Sequence, residues 1–194
     1  YPLKDPFIRL SNQSVKTYLN ALTFPDKTVY PGSSQVEKDY FNLMSVYGDA
    51  VFFPQLKPEI FMQEAHHLEI DEKGKFSLQG VVFNEMKGSY SNYESVIFDS
   101  LIENLLPNTP YAKDSGGNPL NIPELSYEEL KAFHKKYYSQ SNCKLFLAGN
   151  IPTEKQLDFI SERFLNHLEA YDVDFPENEL KTFESPKSIE VTGP

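Results

Sequence analysis

Four histidines, one cysteine and a carboxylate set in an apolar run are the groups in this chain with chemistry to offer. His66 and His67 are adjacent, so on a strand they point to opposite faces and do not share a metal. Glu64-Ala65-His66-His67 has no ligand spacing either. His134 and His167 fall in amphipathic helical patterns among Lys, Arg and Glu, where facing solvent is the ordinary state. Cys143 begins the apolar run CKLFLAGN (143–150) and reads as a packed thiol, not a nucleophile. Glu85 lies in VVFNEMKG (81–88), where three apolar residues lead into Asn84 and the acid. Either a helix turns its polar face outward there, or the carboxylate grips something; the residues alone leave both open. No G-x-S-x-G elbow, Walker A loop or dinucleotide fingerprint is present, and Ser115-Gly116-Gly117-Asn118 is a turn. No complete active site can be assembled from these residues.

The elements that must position them are partly announced by capping boxes, a Ser or Thr followed three residues later by Glu or Gln. Ser34-x-x-Glu37 predicts a helix with Val36, Tyr40, Leu43, Met44, Tyr47 and Val51 on its apolar face. Ser91-x-x-Glu94 predicts a second, with Ile97, Leu101 and Leu105 in one stripe before Pro107. Ser126-x-x-Glu129 predicts a third with Leu130, Phe133 and Tyr137. Thr153-x-x-Gln156 predicts a fourth with Leu157, Ile160, Phe164 and Leu168. The stretch around Glu85 carries a weaker helical signal. Strands are expected at 143–150, ending in a Gly-Asn turn, at 16–24, and at 66–78 as two extended pieces around a Gly turn. Residues 107–123 form a loop dense in Pro, Gly and Asn. From about Tyr171 periodicity is lost and Pro and acid rise, as in a linker or the start of a next element (171–194). Helices and strands mix without strict alternation, so the expected class is α+β, mostly antiparallel sheet packed by helices.

The chain has 194 residues with 18 Lys and Arg against 28 Asp and Glu, a formal net charge of −10. That balance argues against nucleic acid held by phosphate contacts and against an anionic membrane surface. One cysteine cannot form an intrachain disulfide or a thiolate zinc site. The expected compartment is reducing: a bacterial cytoplasm, with an organelle matrix as the alternative. No apolar run approaches the length of a membrane span. The start at Tyr1, not Met, reads as a piece of something longer.

Five segments in order resemble the pitrilysin/insulinase family of zinc metallopeptidases, the inverzincins, in its presequence-protease and falcilysin branch. They are YPLKDPF (1–7), YLNALTFPDKTVYP (18–31), DYFNLMSVYGDAVFFPQL (39–56), GVVFNEMKGSYS (80–91) and DSGGNPLNIPELSYEELKAFHKKYYSQSNCKLFLAGN (114–150). The resemblance covers residues 1–170 and implies an incomplete first metallopeptidase domain. The family's H-x-x-E-H motif does not occur here; by resemblance it lies upstream of Tyr1. No catalytic residue is therefore expected in this chain, because the general base and both histidine ligands belong to that motif.

By the same resemblance Glu85 is the third protein ligand of one zinc ion in the full-length parent. In such sites two histidines at i and i+4 share a helix face, a carboxylate closes the set, and a fourth position stays open for water. A second acid found in some branches seven residues earlier is replaced here by Leu78. Asn84 and Lys87 either tune the ligand or are solvated helix polar groups. The resemblance also makes Asn20, Ala21 and Leu22 part of an edge strand to which a peptide substrate adds backbone to backbone. The implied function is part of a zinc metalloendopeptidase that degrades short or unfolded peptides inside a two-halved chamber. The partners implied are peptides and the rest of the polypeptide: the upstream zinc helix and the downstream domains. The isolated piece is expected to be inactive. The alternatives are a non-catalytic structural or assembly subunit of the same fold, and a stand-alone peptide-binding module.

Overall fold

A computed structural model describes residues 14–170, 172–175 and 182–192. The match at 1–7 lies outside the described residues. The structure is mixed α and β, as expected, with small two-stranded sheets and helices. It divides into two compact units. The first holds 1–22, 29–55 and 128–174; the second holds 23–28, 56–127 and 175–194.

In the first unit, β1 (Lys16–Leu19) pairs antiparallel with β4 (Gly32–Ser34), with Tyr18 opposite Ser33 and a register shift between Lys16 and Tyr18. Helix α1 (Glu37–Phe52) lies against this ribbon. Gly32 eases the approach, because a Cβ there would sit 3.3 Å from Leu43 Cδ2, a tight contact. The helix begins three residues after Ser34, not at it. Ser34 is held in the β4 ladder and its Oγ accepts from Val36 N at 3.3 Å, so no side chain caps the helix. Helix α5 (Tyr127–Tyr137) crosses into this unit after Tyr127, directly following Ser126.

Helix α6 (Thr153–Arg163) packs on α1 through rings and polar pairs. Phe41 meets Phe159 at 4.9 Å between centroids, and Phe164 meets Phe52 at 5.8 Å. Tyr40 donates to Gln156 Oε1 at 2.7 Å, and Arg163 Nη2 pairs with Asp49 Oδ2 at 2.5 Å. Gln156 is therefore a buried bridge between helices and not half of a capping box; Thr153 is already the first helical residue, after Pro152. Leu43, Tyr47, Ile160 and Phe164 are the buried apolar residues among the described residues of this unit.

The strand predicted at 143–150 does not form. The backbone leaves Cys143 extended (φ −101°, ψ 133°) and runs to Ala148 with no ladder partner among the described residues. A strand is completed by a neighbour, and the described residues supply none. Cys143 itself is half-buried, and burial pushes its thiol up.

The predicted strand at 16–24 splits into β1 and β2 (Leu22–Thr23), and β2 pairs with β3 (Thr28–Val29). In the second unit β5 (His67–Ile70) and β6 (Phe76–Gln79) form the expected hairpin, with Leu68 opposite Leu78 and Ile70 opposite Phe76. Its turn is tied by Asp71 Oδ1, which accepts from Lys73 N (2.9 Å) and Lys75 N (2.8 Å), while Gly74 takes φ 78°. Helices α2 (Pro58–Glu64), α3 (Val81–Ser89) and α4 (Tyr93–Leu105) complete the unit. The cap of α4 is Asn92, whose side chain accepts from Glu94 N, one residue later than the box predicted; Ser91 Oγ turns back to Gly88 O at 2.6 Å. The stripe Ile97, Leu101 and Leu105 faces outward and exposed, not into a core.

Candidate functional site

Glu85 is placed by α3, and α3 is anchored by Phe83 and Met86, which cluster with Ile122 and receive Leu78 and Tyr90. Two glycines make that anchoring possible. Gly80 (φ 154°) precedes the helix so close to α2's end that a Cβ would lie 2.2 Å from the Ala65 carbonyl oxygen. Gly116 lies under Met86, where a Cβ would be 2.3 Å from the sulfur. The Ser115–Asn118 turn therefore serves packing. With Phe83 and Met86 inward, the spacing turns Val81, Val82 and Glu85 out to solvent.

The neighbours of Glu85 are otherwise engaged. Asn84 Nδ2 donates to Gln79 Oε1 at 3.0 Å, and Lys87 Nζ lies 6.0 Å from the Phe83 ring centroid. Elsewhere in the unit Tyr90 is pushed up to about 12, chiefly by burial and then by Asp99 and Asp114. Asp99 is also raised, by burial first and by Asp114 second.

The histidines are accounted for by hydrogen bonds. His66 lies just outside β5 and its Nε2 meets Leu125 O at 3.0 Å; His67 contacts Met62 O and Glu69, which raises its pKa. His167 is exposed beside Glu162 O. His134 corrects the expectation that it faces solvent. It is half-buried, its Nε2 lies 2.8 Å from Val51 O, and its ring stacks on Tyr138 at 4.4 Å. A polar group drawn under cover needs a partner, and the carbonyl near the end of α1 supplies one. Zinc needs several donors in convergent geometry. Among the described residues no three His, Cys, Asp or Glu side chains converge, so these residues alone do not fit zinc, and Glu85 would be one donor.

Asn20 and Ala21 lie in the first unit between β1 and β2, both exposed, and Leu22 continues them. Asn20 N donates to Pro31 O at 3.2 Å, and Tyr47 OH donates to Asn20 O. Ala21 N–H, outside either ladder, is met by the Asn20 carboxamide oxygen at 2.9 Å. Both residues line an open cavity of about 590 Å³ whose other walls include Tyr30, Tyr47, Val51, His134 and Tyr138. The wall's polar groups are used among themselves. Tyr30 and Tyr138 share a 2.6 Å hydrogen bond, and burial followed by that bond pushes the Tyr30 hydroxyl far above its usual range. The cavity was not foreseen, since contacts across 27, 83 and 108 residues bring its walls together. Glu85 and the Asn20–Leu22 edge thus belong to different units.

Comparison with known proteins adds what geometry does not. The family profile described as "Peptidase M16 inactive domain" matches residues 124–192. The chain is 48% identical over 192 residues, 97% of its length, to "Protein HypA" of Clostridium perfringens, and 42% identical over 196 residues, 99% of its length, to "Presequence protease, mitochondrial" of Xenopus tropicalis. It is 44% identical over 170 residues, 86% of its length, to the Drosophila melanogaster protein of that name. These matches support the pitrilysin (M16) family. The aligned part is 20%, 19% and 16% of those relatives, so the chain spans about a fifth or less of the length of the relatives it matches. The profile match takes in α5, the Cys143–Ala148 segment and α6, and leaves Glu85 and Asn20 outside it. No helix among the described residues is long and apolar enough to cross a membrane.

Proposed function

We propose that this chain is part of a zinc-dependent peptidase of the pitrilysin family, to which it contributes one carboxylate ligand, Glu85, and a peptide-pairing edge, Asn20–Leu22. The observation that carries the reading is the outward placement of Glu85 on a well-anchored helix, within a chain 42% identical to a protein named presequence protease. A ligand must be free to meet donors from another element, and Glu85 is exposed while Asn84 beside it is bonded elsewhere. The edge reading is supported by the Ala21 N–H, which only a side chain holds. The whole protein's peptides, its upstream histidine helix, its further domains and its place in a bacterial cytoplasm or an organelle matrix belong to the same proposal.

The test is Glu85→Gln in the full-length parent, with bound zinc and hydrolysis of an unfolded peptide measured together. Both fall, the turnover by roughly 100-fold or more, since a first ligand weighs at least as much as an outer-shell partner. Unchanged zinc and turnover would refute the reading. A second reading is a non-catalytic subunit of the same fold, favoured by the profile's description as an inactive domain over 124–192. A parent without paired upstream histidines, and without zinc when purified, decides for it.

A further inference from the structure

We infer that His67 is a doubly protonated clasp that ties the C-terminal turn of α2 to β5, and that the clasp opens as pH rises through the histidine range. The inference stands on the contacts of this ring and needs no role for Glu85.

Both ring nitrogens meet acceptors. Nδ1 lies 2.8 Å from Met62 O, and Nε2 lies 3.2 Å from Glu69 Oε1. A neutral imidazole has one N–H and leaves its other nitrogen a lone pair. Whichever tautomer it took, that lone pair would face an oxygen. The imidazolium alone donates in both directions, and it makes an ion pair with Glu69 as well.

Helix α2 needs such a donor. A helix end leaves its last carbonyls without partners inside the helix. Ala65 N–H takes the Phe61 carbonyl, and the His67 ring takes the next one, Met62 O. The last turn of α2 holds no basic residue, and Glu64 puts negative charge at the end where the helix dipole favours a cation. The other groups around the ring do not replace it. Glu64 Oε1 is bonded to Gln63, β6 sets the uncharged Gln79 opposite His67, and the neighbouring His66 ring meets Leu125 O.

The junction held in this way carries the next element. Gly80, immediately before α3, lies so close to the Ala65 carbonyl and the His66 Cα that neither leaves room for a side chain. A loosened α2 end therefore unseats the start of α3. The direction with pH follows from the ring's partners. Glu69 first and the Met62 carbonyl second hold its pKa above the ordinary 6.5. The folded ring thus keeps its proton better than an unfolded one. Its contribution is complete below pH 6.5 and is lost as pH rises through the folded midpoint.

Two measurements on the full-length protein test the inference. Exchange of the imidazole C2–H, followed by mass spectrometry with fragmentation between His66 and His67, reads the titration of this ring. The midpoint lies above 6.5 and falls in Glu69→Gln. A midpoint at or below 6.5, or one that Glu69→Gln leaves in place, overturns the inference. Amide exchange over residues 61–70, corrected for its intrinsic pH dependence, reads the clasp itself. Protection falls as pH rises through the same midpoint. His67→Gln is as open in acid as the unaltered protein is in base, and His67→Arg, a permanent cation, removes the pH dependence. Protection that ignores pH, or that His67→Gln leaves intact in acid, overturns the inference equally. The ring titration is taken on the unaltered protein, so a variant that fails to fold does not spare the inference its test.

Discussion

Two helix glycines should respond to the same substitution with opposite signs. Gly88 lies in α3 with nothing within 4 Å of an added Cβ; Gly48 lies in α1, where a Cβ would sit 2.4, 2.6 and 2.9 Å from Cζ, Cε1 and Cε2 of Phe164. Alanine is favoured over glycine in a helix by about 1 kcal/mol, less near an end. Gly88→Ala, one residue from the end of α3, should therefore stabilise by about 0.5 kcal/mol. At Gly48 the same gain meets a ring that is 3% exposed and flanked by Phe52 and Phe159 at centroid distances of 5.8 and 6.3 Å. Overpacking of this kind costs about 1–3 kcal/mol. The net is a destabilisation of up to about 2 kcal/mol. Urea denaturation followed by circular dichroism reads both variants as shifts in midpoint at constant slope. The double variant Gly48→Ala/Phe164→Leu identifies the cause, because a smaller side chain removes the collision and the alanine then costs little relative to Phe164→Leu alone. A Gly48→Ala protein more stable than the parent, or a penalty that survives in the Phe164→Leu background, would refute the packing argument.

Two further outcomes follow from the second unit. Gly80→Ala places a Cβ 2.2 Å from a backbone oxygen at φ 154°, so neither atom yields cheaply; it should destabilise by roughly 3 kcal/mol or more and lower bound zinc in the parent by shifting α3, measured by thermal melting and metal analysis. Tyr90 holds its proton in the folded state up to about 12 against an ordinary value of 10, so the native state binds more protons between those values. Stability attributable to it is complete below pH 10 and is lost as pH rises toward 12. Ultraviolet titration of the phenolate should show the midpoint fall in Asp114→Asn, and an unmoved midpoint would deny the charge its part.

What could be read from the amino acids was what neighbours in the chain decide. The β5–β6 hairpin follows from Asp71 and Gly74, which tie and turn a five-residue loop with their own atoms. Helix α3 was only weakly signalled around Glu85, and the outward Glu85 was one of the two readings left open; the anchoring by Phe83 and Met86 came from the structure. The misreadings share a cause in distant contacts. Ser34 was drawn from its capping role by pairing with Lys16, and Gln156 by Tyr40, 116 residues away. His134 was charged company on paper, but Val51 O and the Tyr138 ring gather it in. The run at 143–150 has the composition of a strand, and composition cannot provide the chain beside it. For the site, the carboxylate and the Asn20–Leu22 edge could be singled out only through resemblance, while the walled cavity beside Asn20 depends on helices that meet far from it in sequence.

If the Asn20–Leu22 edge takes a peptide, as proposed, the carboxamide of Asn20 acts there as a latch. That oxygen already satisfies the Ala21 N–H, so an arriving chain would gain there only the difference between two similar bonds. Docking on this edge would then be an exchange, in which a side chain swings aside as a backbone takes its place. Strands that offer nothing but main chain would be poorly rewarded, and selection would shift to what else the newcomer can bring to the aromatic hollow next door.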